Sequence, residues 1–191
     1  MKFLERLKNN VYWQLPLAKH LIEAVKIKMG IMKISNAEYW KECERFYDST
    51  TPFNSVIIDV GDDVGISPLY FLSRGAKKVY GFGTMPQLYY NSRYVHTYYE
   101  ITENNIHYFI NELKHILLTS KAKNERVMLK MDIEGAEWLF NLEFIKSFDE
   151  YVIALHSPIR KQILYKEIKE TSTYVGKVDN IEFAIYRGIR K

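Results

Sequence analysis

Residues 56–67 read VIIDVGDDVGIS, an apolar run at 56, 57, 58 and 60 broken only by Asp59 and closed by Gly61 and Gly65. A short, continuously apolar run bounded by glycine is the pattern of a strand buried on both faces, as in a parallel sheet. In an open α/β sheet, the loop after such a strand lies at the carboxyl edge, where ligands bind. A dinucleotide fingerprint would place G-x-G-x-x-G here, with bare backbone around a pyrophosphate. This loop instead carries Asp62 and Asp63 between its glycines. Two carboxylates repel a pyrophosphate and suit a ligand with cationic groups, an ammonium or a sulfonium.

Outward from this stretch, strands and helices alternate. ISPLYFLSRGA is predicted as a helix ending near Gly75, and KKVYGF as a second strand. The tract 84–103 is ambiguous, with a short strand expected around 94–99. A helix is predicted over ENNIHYFINELKHILLTSKAK, with Ile106, Phe109, Ile110, Leu113, Ile116 and Leu117 on one face. ERVMLKMDI reads as a strand, GAEWLFNLEFIKSF as a helix, YVIALHS as a strand, and TYVGKVDNIEFAIYRG as a hairpin turning at Asp179-Asn180. Buried strands separated by helices call for a parallel sheet covered on both faces. Before residue 50 the pattern is helical: PLAKHLIEAVKIKMG has Pro16 in its first turn and Gly30 as a stop, and SNAEYWKECERFY opens with Ser35 and Glu38 in capping-box spacing. The division expected is a helical extension, 1–50, packed on an α/β domain, 51–191.

Composition narrows the class. Of 191 residues, 47% are hydrophobic and 26% charged, which is ordinary for a globular chain. Cys43 is the single cysteine, so no intramolecular disulfide forms and a reducing compartment fits. Lys2, Glu5, Arg6 and Lys8 interrupt any secretory core, and no run reaches the roughly 18 apolar residues of a membrane span. A cytoplasmic protein with no membrane partner is expected. The net charge is +4, and its excess is local: Arg74, Lys77, Lys78 and Arg93 lie in an acid-free stretch from Val64 to Tyr99. Without those four, the 27 basic residues become 23 and match the 23 acids. Tyr80, Phe82, Tyr89, Tyr90, Tyr94, Tyr98 and Tyr99 share the stretch, a combination able to stack bases and meet phosphates. Four charges are few for that task, and a solvated face beside core tyrosines is the favoured reading.

The pair VIIDVGDDVGISPLYFLSRGAKKVYGF and VMLKMDIEGAEWLF resembles the FkbM-type branch of class I S-adenosylmethionine-dependent methyltransferases. That family typically has D-V-G-A-N-x-G at its first strand and K-x-D-I-E-G-A-E at its fourth. The resemblance covers about residues 55–157. It implies a Rossmann-like, mostly parallel seven-stranded sheet with an antiparallel last strand, preceded here by N-terminal helices. It also implies O-methylation of a small hydroxylated or glycosyl substrate. The cofactor expected is S-adenosylmethionine, held by Asp59, Gly61, Asp63 and Gly65, with Gly83 at the ribose position. One departure stands out. The family ends its second strand with an acid that grips the ribose hydroxyls, whereas this chain has Gly83 there, 22 residues after Gly61, and its next acid is Glu100.

Methyl transfer to a hydroxyl needs a base or a metal to take the proton. Asp132 and Glu134 fall at the end of the fourth strand, Glu137 in the next turn, and His156 at the end of the fifth, so these four are the candidate catalytic residues. His156 with a carboxylate would be an oriented base. Alternatively, Asp132 and its neighbours with His156 would ligate Mg²⁺, although no dedicated metal motif is present. Glu134 and Glu137 would otherwise only complement a helix dipole. His20, His96, His107 and His115 are read as surface or packing residues. Because of Gly83, a degenerate binding or interaction protein remains an alternative, as does a nucleic-acid methyltransferase. The second of these lacks the N/D-P-P-Y/F motif, since DIEG occupies its place.

Overall fold

The structure, a computed structural model, describes residues 34–62, 65–84, 91–156, 162–177 and 183–189. The helix expected over 16–30, Asp63 and the hairpin turn at Asp179-Asn180 lie outside the described residues.

Seven strands form one sheet. They are β1 (Ser55–Val60), β2 (Lys78–Gly83), β3 (Tyr94–Tyr98), β4 (Arg126–Met131), β5 (Glu150–His156), β6 (Thr173–Lys177) and β7 (Phe183–Ile189), in the order β3-β2-β1-β4-β5-β7-β6. The first five are parallel, and β7 runs antiparallel to both β5 and β6. This is the Rossmann-like methyltransferase arrangement that the alternating pattern and the motifs implied. β1 is buried along its whole length, and its side chains divide between two cores because successive residues point to opposite faces. Ile58 and Val60 join Phe109, Leu113 and Leu117 of α3 (Ile106–Ala122). Ile57 joins Trp40 and Phe46 of α1 (Ile34–Tyr47) and Tyr70 and Phe71 of α2 (Ile66–Ser73). Each fully buried large side chain contributes roughly 1.5–3 kcal/mol. At the amino edge, buried Glu150 accepts from Arg126 Nη2 at 2.7 Å, Arg187 Nε at 2.5 Å and Thr51 Oγ1 at 2.7 Å. That network ties β4, β5 and β7 at one end.

The segment 135–148 departs from the single helix expected. It forms a 3-10 turn, Ala136–Leu139, and then α4 (Leu142–Lys146). Phe140 is extended between them, and the Asn141 side chain accepts from Phe144 N at 2.8 Å, so it starts a new helix. α5 (Gln162–Thr171) then leads into β6. Because β1 lies between β2 and β4, strand order reverses there, and a crevice opens at the carboxyl ends.

Candidate functional site

The crevice is a cleft of about 210 Å³ whose lining includes Gly61, Gly83, Tyr99, Glu100, Asp132 and Glu134. Gly61 has φ +85°, and a β-carbon there would overlap the Asp132 carbonyl. Glycine is therefore required at the point where the loop after β1 crosses the end of β4. Backbone bonds hold that crossing: Asp132 N donates to Val60 O at 2.9 Å and Gly61 N to Phe82 O at 2.8 Å. Gly65, at φ +89°, precedes the first turn of α2. Tyr99 forms an aromatic wall, its ring centroid 4.4 Å from that of Phe109.

Asp59 lies behind the loop. Its carboxylate is fully buried, accepts from Ser67 Oγ at 2.7 Å, and pairs with Lys130 Nζ at 3.0 Å. Burial pushes this carboxyl up to about 7, against the opposing pull of Lys130. Lys130 also donates to the Gly61 carbonyl, so one buried ammonium holds both the strand and its turn. Lys130 escaped the sequence reading, though a lysine inside the apolar strand VMLKM signals a buried partner.

Asp62 corrects the expectation that the loop's carboxylates face a cationic ligand. Its side chain is fully buried and accepts from Tyr94 Oη at 2.5 Å, with His96 Nδ1 at 2.7 Å. It occupies the space that side chains on Gly81 and Gly83 would fill. His96, expected at the surface or in packing, is instead the partner of a buried acid, and its side chain is 11% exposed. Nothing local in the sequence joins residues 62 and 96, which meet only through the pairing of β2 with β3.

The four candidate catalytic residues converge at one rim of the cleft. Glu137, 2% exposed, accepts from Ile133 N at 3.2 Å and Gly135 N at 3.3 Å. Its Oε1 lies 2.7 Å from His156 Nδ1, which turns Nε2 toward Asp132 Oδ1 at 3.6 Å and Glu134 Oε2 at 3.7 Å. Glu134 is held at φ +51°, a region non-glycine residues seldom enter. Burial lowers the His156 pKa, but the Glu137 hydrogen bond and the three carboxylate charges outweigh it, and the net shift is upward. The arrangement can take a proton, hold a cation, or present negative charge to a sulfonium.

A larger cavity, about 510 Å³, opens at the amino ends of the strands beside Lys77, Lys78, Arg93 and Lys123. It collects most of the basic excess, yet much of that charge is already engaged. Lys77 pairs with Glu125, Lys78 Nζ meets Tyr80 Oη at 2.9 Å, and Arg93 Nη1 donates to Ala76 O at 3.0 Å. The smaller cleft, with its converging acids and histidine, is the functional candidate.

Among solved structures, a Streptococcus thermophilus protein described as a candidate hemolysin is 14% identical, with TM-score 0.50, over 83% of this chain and 66% of its own. The MycE methyltransferase of the mycinamycin pathway, solved with Mg and SAH, is 13% identical, with TM-score 0.45, over 82% of this chain and 48% of its own. The magnesium protoporphyrin IX methyltransferase of Synechocystis PCC 6803, solved with SAM, is 13% identical, with TM-score 0.35, over 82% and 78%. With the Streptococcus thermophilus protein, at 14% identity and TM-score 0.50, only the fold is shared. No helix among the described residues is long and apolar enough to cross a membrane. No family model matches the chain. In sequence, the uncharacterized protein 65 of Sulfolobus islandicus filamentous virus is 26% identical over 143 residues, covering 74% of this chain and 85% of that protein. The uncharacterized protein 158B of Sulfolobus islandicus rod-shaped virus 1 is 30% identical over 150 residues, covering 76% of this chain and 89% of its own. The chain belongs to the family of that rod-shaped virus protein.

Proposed function

We propose that the protein is an S-adenosylmethionine-dependent methyltransferase of FkbM-like type, acting in the cytoplasm on a hydroxyl group of a small acceptor. The observation that carries this reading is the joining of two features in one cleft. Gly61 and Gly83 line the cleft at the switch point, and a carboxylate-histidine cluster stands at its rim.

S-adenosylmethionine supplies an electrophilic methyl group on sulfur. The chain's residues fit its parts. Tyr99 and Phe82 offer apolar faces to the adenine. Gly83 brings no acid to the ribose, but Glu100 lines the same cleft, and we assign it as the acceptor of the ribose hydroxyls. The buried Asp59–Lys130 pair fixes the Gly61 turn rather than reaching the ligand itself. Bound in the cleft, S-adenosylmethionine would offer its methyl carbon to in-line attack by the acceptor oxygen, with the thioether as leaving group. The proton of the hydroxyl passes to the cluster of Asp132, Glu134 and His156, whose imidazole Glu137 keeps oriented. His156 would serve there as a base, or with Asp132 and Glu134 would hold a divalent cation able to lower the pKa of the hydroxyl.

The test is transfer of a labelled methyl group from S-adenosylmethionine to a panel of hydroxylated and glycosyl acceptors. Turnover that disappears in Asp132→Asn is expected; unchanged turnover in both Asp132→Asn and His156→Ala would remove the cluster from the mechanism.

A further inference from the structure

We infer that Asp132, Glu134 and His156 form a site for a divalent transition-metal ion of the Mn²⁺ or Zn²⁺ kind. The inference deepens the proposed function and rests on that reading's carboxylate-histidine cluster at the same rim. His156 Nε2 lies 3.6 Å from Asp132 Oδ1 and 3.7 Å from Glu134 Oε2. Those separations exceed a good hydrogen bond. They are slightly wider than the roughly 3.3–3.6 Å between neighbouring ligands of a tetrahedral ion about 2.0–2.2 Å from each, so a small inward turn of the Asp132 and Glu134 side chains would close the shell. One donor atom from each of the three residues lies within 4.8 Å of the others. Asp132 Oδ1 is shielded from solvent and has no hydrogen-bond donor.

The surroundings favour a cation. Glu137 is buried, accepts from two backbone N–H groups, and bonds His156 Nδ1 at 2.7 Å. A carboxylate on one ring nitrogen that aims the other is the outer-shell arrangement of metal-ligating histidines. Three carboxylates also surround one imidazole.

The donor set selects the ion. Mg²⁺ prefers an all-oxygen shell, whereas one imidazole with two carboxylates suits Mn²⁺, Zn²⁺ or Fe²⁺. Three protein ligands leave coordination positions open, and Asp132 and Glu134 also line the cleft. The ion would therefore sit where an acceptor oxygen enters.

The experiment strips the full chain with a chelator and titrates it with MnCl₂, ZnCl₂ or MgCl₂ by calorimetry. Electron paramagnetic resonance of the Mn²⁺ form reports nitrogen coupling from the imidazole. One site is expected, with Mg²⁺ at least about tenfold weaker than Mn²⁺. Asp132→Asn and Glu134→Gln should each weaken Mn²⁺ binding by about tenfold or more, and Glu137→Gln by about 10–100-fold. His156→Gln should remove the nitrogen coupling. Circular dichroism and thermal midpoints check that each variant folds, and exposed Glu134 is the substitution that least disturbs packing. Absence of Mn²⁺ and Zn²⁺ binding, or equal affinity in the wild type and the folded Glu134→Gln protein, would overturn the inference. S-adenosylhomocysteine is titrated separately into the stripped protein. Its binding without any metal binding sinks the metal site alone, and metal binding without it sinks the methyltransferase reading alone.

Discussion

Asp62 and Gly83 compete for one volume: the Asp62 carboxylate stands where a β-carbon on Gly83 would be. An acid at the end of β2 and this buried Asp62 are therefore mutually exclusive, which accounts for the glycine where the resembling family has its ribose-binding residue. Gly83→Ala is expected to destabilise the fold by about 1–3 kcal/mol through overpacking. Gly83→Glu should cost more, and it would not restore a ribose contact. In an Asp62→Ala background, the penalty for Gly83→Ala should shrink. Urea unfolding of the four proteins of this double-mutant cycle measures it, and an equal penalty in both backgrounds would refute the overlap.

Lys130 and Asp59 form a buried pair, side chains 3% and 0% exposed. Lys130→Met strands the Asp59 charge and should cost about 3–5 kcal/mol, much of it recovered in Lys130→Met/Asp59→Asn. Chemical denaturation of the single and double variants tests this. A double variant no more stable than Lys130→Met alone would contradict the pairing.

Burial raises the Asp59 carboxyl from its ordinary 3.8 to about 7. The folded chain then holds this proton more tightly than the unfolded chain. This contribution to stability is greatest at the acid end and is lost as pH rises from about 4 to about 7. Asp59→Asn should remove that slope. Unfolding free energies across the window decide it, and an unchanged slope in the variant would mean that Asp59 ionises normally.

In the proposed mechanism Glu137, whose Oε1 lies 2.7 Å from His156 Nδ1, acts through His156 and not on the acceptor. Glu137→Gln should therefore lower kcat by about 10²-fold or more while leaving S-adenosylhomocysteine affinity unchanged. Steady-state kinetics with parallel calorimetry separates the two. A loss confined to cofactor affinity would place Glu137 on the wrong side of the cleft.

The strands were legible because buried parallel strands are nearly unbroken apolar runs, as in SVIIDV and RVMLKM. The convergence of Asp132, Glu134, Glu137 and His156 was legible too, since adjacent parallel strands bring their carboxyl ends to one edge. The break at Asn141 was not, because a capping side chain outcompetes helix continuation without disturbing the apolar period. Nor was the fate of Asp62. Its partners Tyr94 and His96 come from β3, two strands away from β1. A loop acid looks the same in sequence whether it meets a ligand or folds under a neighbouring strand.

The most direct measurement of the central claim is calorimetric titration of S-adenosylhomocysteine into the wild-type protein and Glu100→Gln, with NAD as control. One site is expected in the wild type. Glu100→Gln should weaken it about ten- to a hundredfold, the loss of a charged hydrogen bond to the ribose worth about 1.5–3 kcal/mol. NAD should give no heat. Tight NAD binding with no detectable binding of S-adenosylhomocysteine or S-adenosylmethionine would contradict the account.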